Sequence, residues 1–247
     1  MISKRSPVLL REATFAEGGS AMGGGVEVPE YLEKVYWWAY THPRAVQIFE
    51  RQWLANCILW GNYRRLRDAA LNALGGTLKG KTLQIACVYG DLTENVQARL
   101  RPMAQLDVVD VAPAQIHNLR RKLGRGGQVG IYQQNAAGLH FDAASYDRIL
   151  MFFLLHEMPE AVRRQALAEA WRVLKPGGKL VIVDYHRPRA GNPLRYLMAP
   201  VFKLLEPFAM DLWRADLATW LPEEAQNCTF ERDTYFGDLY QKVVISR

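Results

Sequence analysis

From residue 82 onward the chain alternates short apolar runs with longer mixed stretches, and this rhythm constrains its fold more than any other feature. The apolar runs are TLQIACV, LDVVDV, QVGIYQ, YDRILMFFLL and GKLVIVDY. Near-continuous Val, Ile and Leu runs of this kind are typical of strands buried on both faces of a parallel sheet. The stretches between them predict helices near 91–101, over 113–122 and over 160–174. We therefore predict an α/β fold with a doubly wound, mostly parallel seven-stranded sheet, whose last two strands form an antiparallel hairpin within 230–247.

The remaining segments predict one domain over residues 28–247 with additions at its margins. Residues 1–27 are glycine-rich with little to bury, and we expect them to be disordered. Residues 28–76 predict N-terminal helices whose aromatic side chains either pack on the core or cover a lipophilic substrate. Residues 193–221 predict a lid-like segment. Its apolar stretch is interrupted by charges and prolines, so we do not expect it to span a bilayer. It either packs on the core or turns an apolar face toward an isoprenoid tail or a membrane.

The charge limits the kinds of partner to expect, and the cysteines indicate the compartment. The formal net charge is +6, and the basic residues are scattered through predicted helices. They fit solvated helix faces, an anionic membrane surface or nucleic acid, but no nucleic-acid motif accompanies them, so we expect no such partner. The three cysteines are far apart and indicate reduced thiols. With no visible signal peptide and no run of roughly 18 apolar residues, we expect a cytoplasmic protein, peripheral at the inner face of the membrane.

The first two strands end in residues suited to a nucleotide-like ligand. The first leads into QIACVYGD, at the place where such sheets carry a glycine-rich turn. Asp110 ends the second strand, about 20 residues after Gly90, where an acid can accept both hydroxyls of a ribose. An Asp at a strand end is as often structural or capping, so each signal is weak alone.

The stretch AEAWRVLKPGGKLVIVDY, with NAAGLHFDAASYDRILMFFLLHE upstream, resembles the class I S-adenosylmethionine-dependent methyltransferases. The resemblance implies a Rossmann-like fold and S-adenosylmethionine as cofactor. The glycine-rich turn departs from that family. Where this chain has Gln84 the family has an acid, and where it has Ala86 and Val88 the family has glycines. A second family acid is Asn135 here. These departures fit either a decayed site or a cofactor bound in a shifted pose.

The residues that the resemblance places around the cofactor are Ala86, Val88, Tyr89, Gly90, Asp110, Val111, Asn135, Ala136 and Phe152.

Within this larger group, ILWGNYRRL, ACVYGD, FFLLHE, VDYHRP and LEPFAMDLWR resemble the rhodoquinone-biosynthesis protein family, RquA. This resemblance covers about residues 28–245. It implies ubiquinone as substrate and replacement of a ring methoxy group by an amino group, with S-adenosylmethionine supplying the nitrogen and Mn²⁺ assisting. Tyr89, Asp91 and His186 are the candidate catalytic bases for that reaction.

Four further side chains follow the fourth and fifth strands and suit a divalent ion such as Mn²⁺. They are His156, Glu157, Asp184 and His186. The alternative is that His156 and Glu157 open the next helix and that Asp184 positions a substrate.

Three functions remain open on sequence grounds. The first is a quinone-modifying aminotransferase that uses S-adenosylmethionine. The second is a conventional methyltransferase acting on a quinone or lipophilic phenol. The third is a non-catalytic binding or scaffold protein of the same fold. The altered turn favours the first and third, whereas the His and acid residues at the strand ends favour the first over the third.

Overall fold

The computed structural model describes residues 28–35, 52–123 and 127–247. The predicted disordered segment 1–27 lies outside the described residues. So does 36–51, which is part of the predicted N-terminal helical cover.

Seven strands form one sheet in the order β3-β2-β1-β4-β5-β7-β6. Every pairing is parallel except those of β7, which runs antiparallel to both β5 and β6. The predicted fold class, including the antiparallel hairpin, is therefore confirmed. The strands are β1 (Lys81–Ile85), β2 (Gln105–Asp110), β3 (Val129–Gln133), β4 (Tyr146–Phe152), β5 (Leu174–Tyr185), β6 (Thr229–Tyr235) and β7 (Tyr240–Ser246).

The helices of the described residues cover both faces of the sheet and the edge at which its parallel strands end. They are α1 (Glu30–Val35), α2 (Gln52–Ile58), α3 (Tyr63–Leu74), α4 (Leu92–Gln97), α5 (Pro113–Leu123), α6 (Glu160–Val173), α7 (Leu194–Leu205), α8 (Asp211–Arg214) and α9 (Glu223–Gln226). Two 3-10 turns, Leu155–Glu157 and Leu217–Trp220, complete the set.

The centre of the sheet is buried on both faces, as the apolar runs predicted. Residues 180–183 of β5 and 149–152 of β4 are at most 1% exposed. α3 packs its buried stripe, which includes Leu66 and Leu74, against this sheet. Burial of one such side chain stabilises the fold by about 1.5–3 kcal/mol. The central strands therefore hold their carboxyl ends in fixed positions.

Two local predictions differ from the structure. The first strand was expected to reach Val88 but ends at Ile85, because Ala86 turns the backbone to a φ of 78°. The expected turn at Lys175–Gly178 lies inside β5 as an irregularity, since Tyr146 pairs with Leu174 whereas Arg148 pairs with Lys179.

The predicted lid-like segment contains α7, which runs through Pro200. α7 buries Met198 and Phe202 and exposes Tyr196 and Leu204. None of the helices in the described ranges is both long and apolar enough to cross a bilayer.

Candidate functional site

A cavity of about 570 Å³ opens at the carboxyl ends of the parallel strands. This is the edge at which doubly wound sheets bind ligands. Its lining is mostly apolar, with polar groups contributed by loops after β2, β3 and β4. Eight of the nine residues expected around the cofactor line it: Ala86, Val88, Tyr89, Asp110, Val111, Asn135, Ala136 and Phe152.

The loop after β1 keeps the conformation of a glycine turn without the glycine. Ala86 has a φ of 78°, in the left-handed region that side chains other than glycine rarely adopt. Its amide donates to the Val109 carbonyl at 2.8 Å, and its carbonyl accepts from Gln84 Nε2 at 3.0 Å. The same Gln84 amide donates to Thr93 Oγ1 at 2.9 Å. Gln84, where the related family has an acid, thus holds the turn from inside the core.

Asp110 joins the first two loops of this edge. One carboxylate oxygen accepts the Cys87 amide at 2.7 Å, and the other accepts the Ala112 amide at 2.8 Å. Burial raises the pKa of Asp110 to about 6, although these backbone donors oppose the shift. Each oxygen has a further lone pair, so the side chain can still accept hydrogen bonds from a ligand in the cavity.

The loop after β3 presents its residues through an internal turn. Asn135 Oδ1 accepts the Ala137 amide at 2.9 Å, and Gln134 Oε1 accepts the His140 amide at 2.9 Å. Gln134, Asn135 and the adjoining Ala136 all line the cavity. The loop is therefore ordered by its own side chains before any ligand binds.

Gly90 and Asp91 contact side chains of α3 and are not part of the cavity lining. Gly90 has a φ of 87°, and a Cβ there would collide with the Tyr63 hydroxyl. Asp91 accepts from Arg67 Nη1 at 2.6 Å and from the Tyr63 hydroxyl at 3.1 Å. Burial favours the neutral acid, but Arg67 and Tyr63 outweigh it and lower the pKa of Asp91. An ion pair of this kind makes Asp91 a poor base, contrary to the expectation from sequence, and Gly90 a packing residue.

His156 and Asp184 form a buried pair behind the cavity wall. Nδ1 of His156 lies 2.9 Å from Oδ1 of Asp184. Asp184 is fully buried and also accepts the amides of Leu155 at 2.8 Å and Tyr185 at 2.8 Å. Only His156 of the pair lines the cavity. Asp184 therefore orients the imidazole and fixes the turn that carries it.

A buried arginine fixes the same turn from α6. The Arg163 guanidinium donates to the Leu155 carbonyl at 2.9 Å, the Met158 carbonyl at 2.8 Å and the Phe208 carbonyl at 3.1 Å. The bonds to Leu155 and Met158 hold both sides of Leu155–Glu157 to α6, so His156 has little freedom to move.

Acids on the open side of His156 keep it protonated. Nε2 lies 3.6 Å from Oε2 of Glu206 and 3.9 Å from Oε1 of Glu157. Burial opposes the imidazolium, but the charges of Asp184, Glu206 and Glu157 outweigh it and raise the pKa of His156 to about 9. The cavity thus carries a fixed cation at neutral pH.

The structure does not bring the four predicted metal ligands together at one point. His186 Nδ1 lies 2.9 Å from the Asp238 carbonyl, on the hairpin side, and His186 is absent from the cavity lining. Asp184 is occupied by backbone amides and His156. Within the described ranges, no group of three or more His, Cys, Asp or Glu side chains is arranged to hold a metal ion. His186 is not part of the cavity lining, although its neighbour Tyr185 is, and its role as a base stays a prediction.

The remaining walls of the cavity are apolar and reach the surface. Ile58, Trp60 and Val201 line the cavity and are 45%, 42% and 36% exposed. Trp60 donates its indole N–H toward Met198 Sδ at 3.3 Å, which joins the residues after α2 to α7. We call Ile58, Trp60 and Val201 the apolar rim.

Three of the seven non-glycine residues with positive φ in the described part of the chain line this cavity. Trp60, Ala86 and Phe153 have φ values of 52°, 78° and 51°, and all three line it. Such conformations cost about 1–3 kcal/mol each and cluster at ligand sites.

Sequence reasoning missed Glu206 as a site residue. It faces His156 from the residue after α7, where the sequence showed only one of several charges that interrupt an apolar stretch. Tyr63 lies in the ILWGNYRRL motif and Arg67 just after it, but nothing in that motif assigned them to the loop after β1.

Comparisons with known proteins agree with this geometry. Residues 82–178 match a family model described as a methyltransferase domain. The chain is 31% identical over 145 residues to the ubiquinone/menaquinone biosynthesis C-methyltransferase UbiE of Ectopseudomonas mendocina, covering 57% of this chain and 55% of that protein. It is 28% identical over 137 residues to the UbiE of Hahella chejuensis, covering 54% and 53%. The chain thus spans about half the length of the curated relatives it matches.

Solved structures share the fold at low identity. The N-methyltransferase NodS of Bradyrhizobium japonicum, in complex with S-adenosyl-L-homocysteine, superposes with a TM-score of 0.54 at 16% identity, over 74% of this chain and 86% of that one. A SAM-dependent methyltransferase of Aquifex aeolicus gives 0.54 at 17% identity, over 83% and 97%. The chain therefore has the fold of the class I S-adenosylmethionine-dependent methyltransferases, with a methyltransferase-domain match across the segment that builds its cavity.

Proposed function

We propose that this chain is an S-adenosylmethionine-dependent transferase that modifies the ring of a quinone or phenol bearing an apolar tail. The observation that carries the proposal is the division of one cavity into a polar half at the ends of β1 to β3 and an apolar half that opens at the rim. A small polar cofactor suits the first half, and a lipophilic acceptor suits the second.

The polar half fits S-adenosylmethionine. Asp110 offers carboxylate lone pairs for ribose hydroxyls, and the left-handed backbone at Ala86 gives the loop the shape of a glycine turn. Asn135, Ala136 and Phe152 form the walls on which an adenine can lie. S-adenosylmethionine supplies an electrophilic methyl group and also carries a primary amine.

In the apolar half, His156 is the side chain suited to the ring of the acceptor. Its Nε2 lies beside Glu206 and Glu157 at the cavity wall and can donate a hydrogen bond to a ring oxygen on which negative charge develops. Asp184 holds the ring from behind, so no reorganisation is needed when charge develops. Glu206 and Glu157 keep the proton in place.

Methyl transfer is the reaction that the comparisons favour. The relatives named above are C-methyltransferases of ubiquinone and menaquinone biosynthesis. The matched segment includes the loops after β1, β2 and β4.

Replacement of a ring methoxy group of ubiquinone by an amino group is the second candidate. The altered turn favours it, because Ala86 and Val88 put side chains into space that glycines leave open, and both line the cavity. A changed cofactor pose could direct the amine instead of the methyl group toward the ring carbon; its addition would expel the methoxy group as methanol, and a second step would have to break the bond between that nitrogen and the α-carbon of the cofactor. The rhodoquinone-family resemblance of the ACVYGD loop points to the same reaction.

One labelling experiment tests the proposal and separates the two reactions. The purified protein is incubated with ubiquinone, or with a quinone precursor lacking one ring methyl group, and S-adenosylmethionine carrying heavy carbon in the methyl group and heavy nitrogen in the amine. Mn²⁺ is added or omitted in parallel. Mass spectrometry of the lipid shows heavy carbon after methyl transfer and heavy nitrogen, with loss of the methoxy group, after amino replacement.

Matched variants make the result decisive. Asp110→Asn should lose either product, whereas His186→Gln should keep it, because His186 lies outside the cavity. Restoring glycine at both Ala86 and Val88 should reduce amino incorporation if the altered turn sets the pose. Unlabelled lipid from a folded protein that binds S-adenosylmethionine would refute the transferase proposal.

A further inference from the structure

A second cleft lies beside the cavity, and we propose that it binds the phosphate of an anionic membrane lipid. It has a volume of about 520 Å³ and lies between the residues after β5, α7 and α8. Three arginines line it, Arg187, Arg195 and Arg214, together with Tyr196 and Trp213. Nothing in the proposed transfer reaction uses these residues.

The charge of the cleft suits a phosphate. Arg187 and Arg214 are exposed and Arg195 is partly buried. Asp211 is the acid beside them, 3.7 Å from Arg214 and 3.5 Å from Arg163, so it is shared between two arginines. The planar guanidinium forks of arginine bind phosphate oxygens in pairs.

The floor of the cleft provides a second, independent feature. Trp213 is 8% exposed, and its indole N–H has no hydrogen-bond acceptor among the described residues. Tyr196 stands at the edge of the cleft and is 73% exposed. Tyr196 is the aromatic side chain here that suits the headgroup level of a bilayer, where one end is apolar and the other wet, whereas the indole N–H of Trp213 is buried.

The apolar surface next to the arginines identifies a lipid as the source of the phosphate. Leu197 and Leu204 of α7 are 50% and 82% exposed, and Val201 lies between them. A soluble phosphate ester would need only the arginines. An anionic bilayer meets the arginines with its headgroups and the leucines with its acyl region, as amphipathic interfacial helices do.

This placement would also orient the cavity. Val201 belongs both to the exposed face of α7 and to the apolar rim, so docking of α7 would bring the rim to the bilayer. A lipophilic acceptor could then enter without crossing water. This consequence rests on the proposed function, but lipid binding itself does not.

Vesicle sedimentation without cofactor or quinone tests the inference. The full chain is mixed with vesicles of phosphatidylcholine alone or with added phosphatidylglycerol. We expect binding that prefers phosphatidylglycerol and weakens at high salt. The variant Arg187→Gln/Arg195→Gln/Arg214→Gln should lower the partition constant roughly 100-fold, since each arginine near the surface contributes about a factor of 5.

The control removes three charges from the other end of the strands, where β1 and β2 begin. Lys79, Lys81 and Arg101 are exposed there. Replacing all three by Gln should lower binding far less, and an equal loss would overturn the site. Equal binding of the parent to both vesicles would overturn it as well.

Two further arms complete the test. The single variant Arg214→Gln, about fivefold weaker, keeps the test decisive if the triple variant fails to fold. Leu197→Ser/Leu204→Ser should weaken binding to both vesicles and leave the lipid preference intact; unchanged binding would contradict the apolar contact. Calorimetric binding of glycerol phosphate without any vesicle binding would assign the cleft to a soluble ligand and refute the lipid.

Discussion

Two aspartates at the same edge of the sheet show how position separates a ligand-facing acid from a structural one. Asp110 ends β2 and Asp184 lies near the end of β5, and both accept backbone amides from neighbouring loops. Asp110 lines the cavity, whereas Asp184 is fully buried and pairs with His156.

The difference lies in what each carboxylate has left to offer. Asp110 accepts hydrogen bonds from Cys87, Val111 and Ala112, but it lies at the cavity wall, where its oxygens can also meet a ligand. Asp184 accepts several amides and the imidazole, so its capacity is used inside the protein. An acid at a strand end is therefore a ligand-binding candidate only when the adjoining loops leave part of it open.

The largest expected effect is on stability, through Asp184. Asp184→Asn preserves volume but turns a donor toward backbone amides and removes the partner of a buried cation. The free energy of unfolding should fall by about 3–5 kcal/mol, measured by urea denaturation. Asp110→Asn is the matched control and should cost less: it also turns a donor toward one backbone amide, but no buried cation loses its partner and burial already disfavours that charge. Equal losses would erase the distinction.

His156 provides the next effect, as a dependence of stability on pH. Its pKa is raised from 6.5 to about 9, so the folded protein holds a proton that the unfolded chain releases near 6.5. This stabilisation is complete below pH 6.5 and is lost as pH rises through about 9, a change of about 3 kcal/mol.

The test is urea unfolding at a series of pH values from neutral to alkaline. His156→Gln should flatten the decline, with Asp184, Glu157, Glu206 and Tyr185 as the other titratable groups around the site. A slope that persists in the variant would assign the titration to one of them.

The smallest expected effect is on cofactor affinity, through Asp110. Asp110→Asn should weaken S-adenosylmethionine binding by about 1–3 kcal/mol, measured by calorimetry, because one hydroxyl acceptor is lost. Parent affinity should also fall as pH drops through about 6, where the carboxyl becomes protonated. The variant should lack that dependence. The stability of the parent depends on pH in the direction opposite to its cofactor affinity. Because folding raises the pKa of Asp110 from 3.8 to about 6, the free energy of unfolding falls as pH rises through that range.

Much of the fold followed from the apolar runs, because a strand buried on both faces leaves a pattern that few alternatives share. The antiparallel hairpin was predicted from two short strand-like runs at the end of the sequence, although β6 is largely exposed. The strand limits were less so, since the end of β1 depends on the φ of Ala86, and alanine carries no signal for a left-handed turn.

The site was predictable where a residue follows its strand directly and not where partners come from elsewhere. Asp110 and Asn135 lie at the cavity as expected. His186 follows β5 as closely, but its imidazole faces the hairpin, and strand position alone does not fix that direction. Glu206 and Arg67 act across long sequence separations, which only tertiary packing determines.

The place of β7 in the sheet has a consequence for synthesis of the protein. β7 fills the gap between β5 and β6, although it follows both in the chain. Until residues 240–246 leave the ribosome, the edge of β5 stays open along apolar residues such as Leu180 and Val183 for several seconds, at roughly 5–20 residues per second. Open apolar edges recruit other strands. Nascent chains that stall in this window should therefore aggregate and depend on chaperones, whereas the finished sheet ends in the charged strand β6.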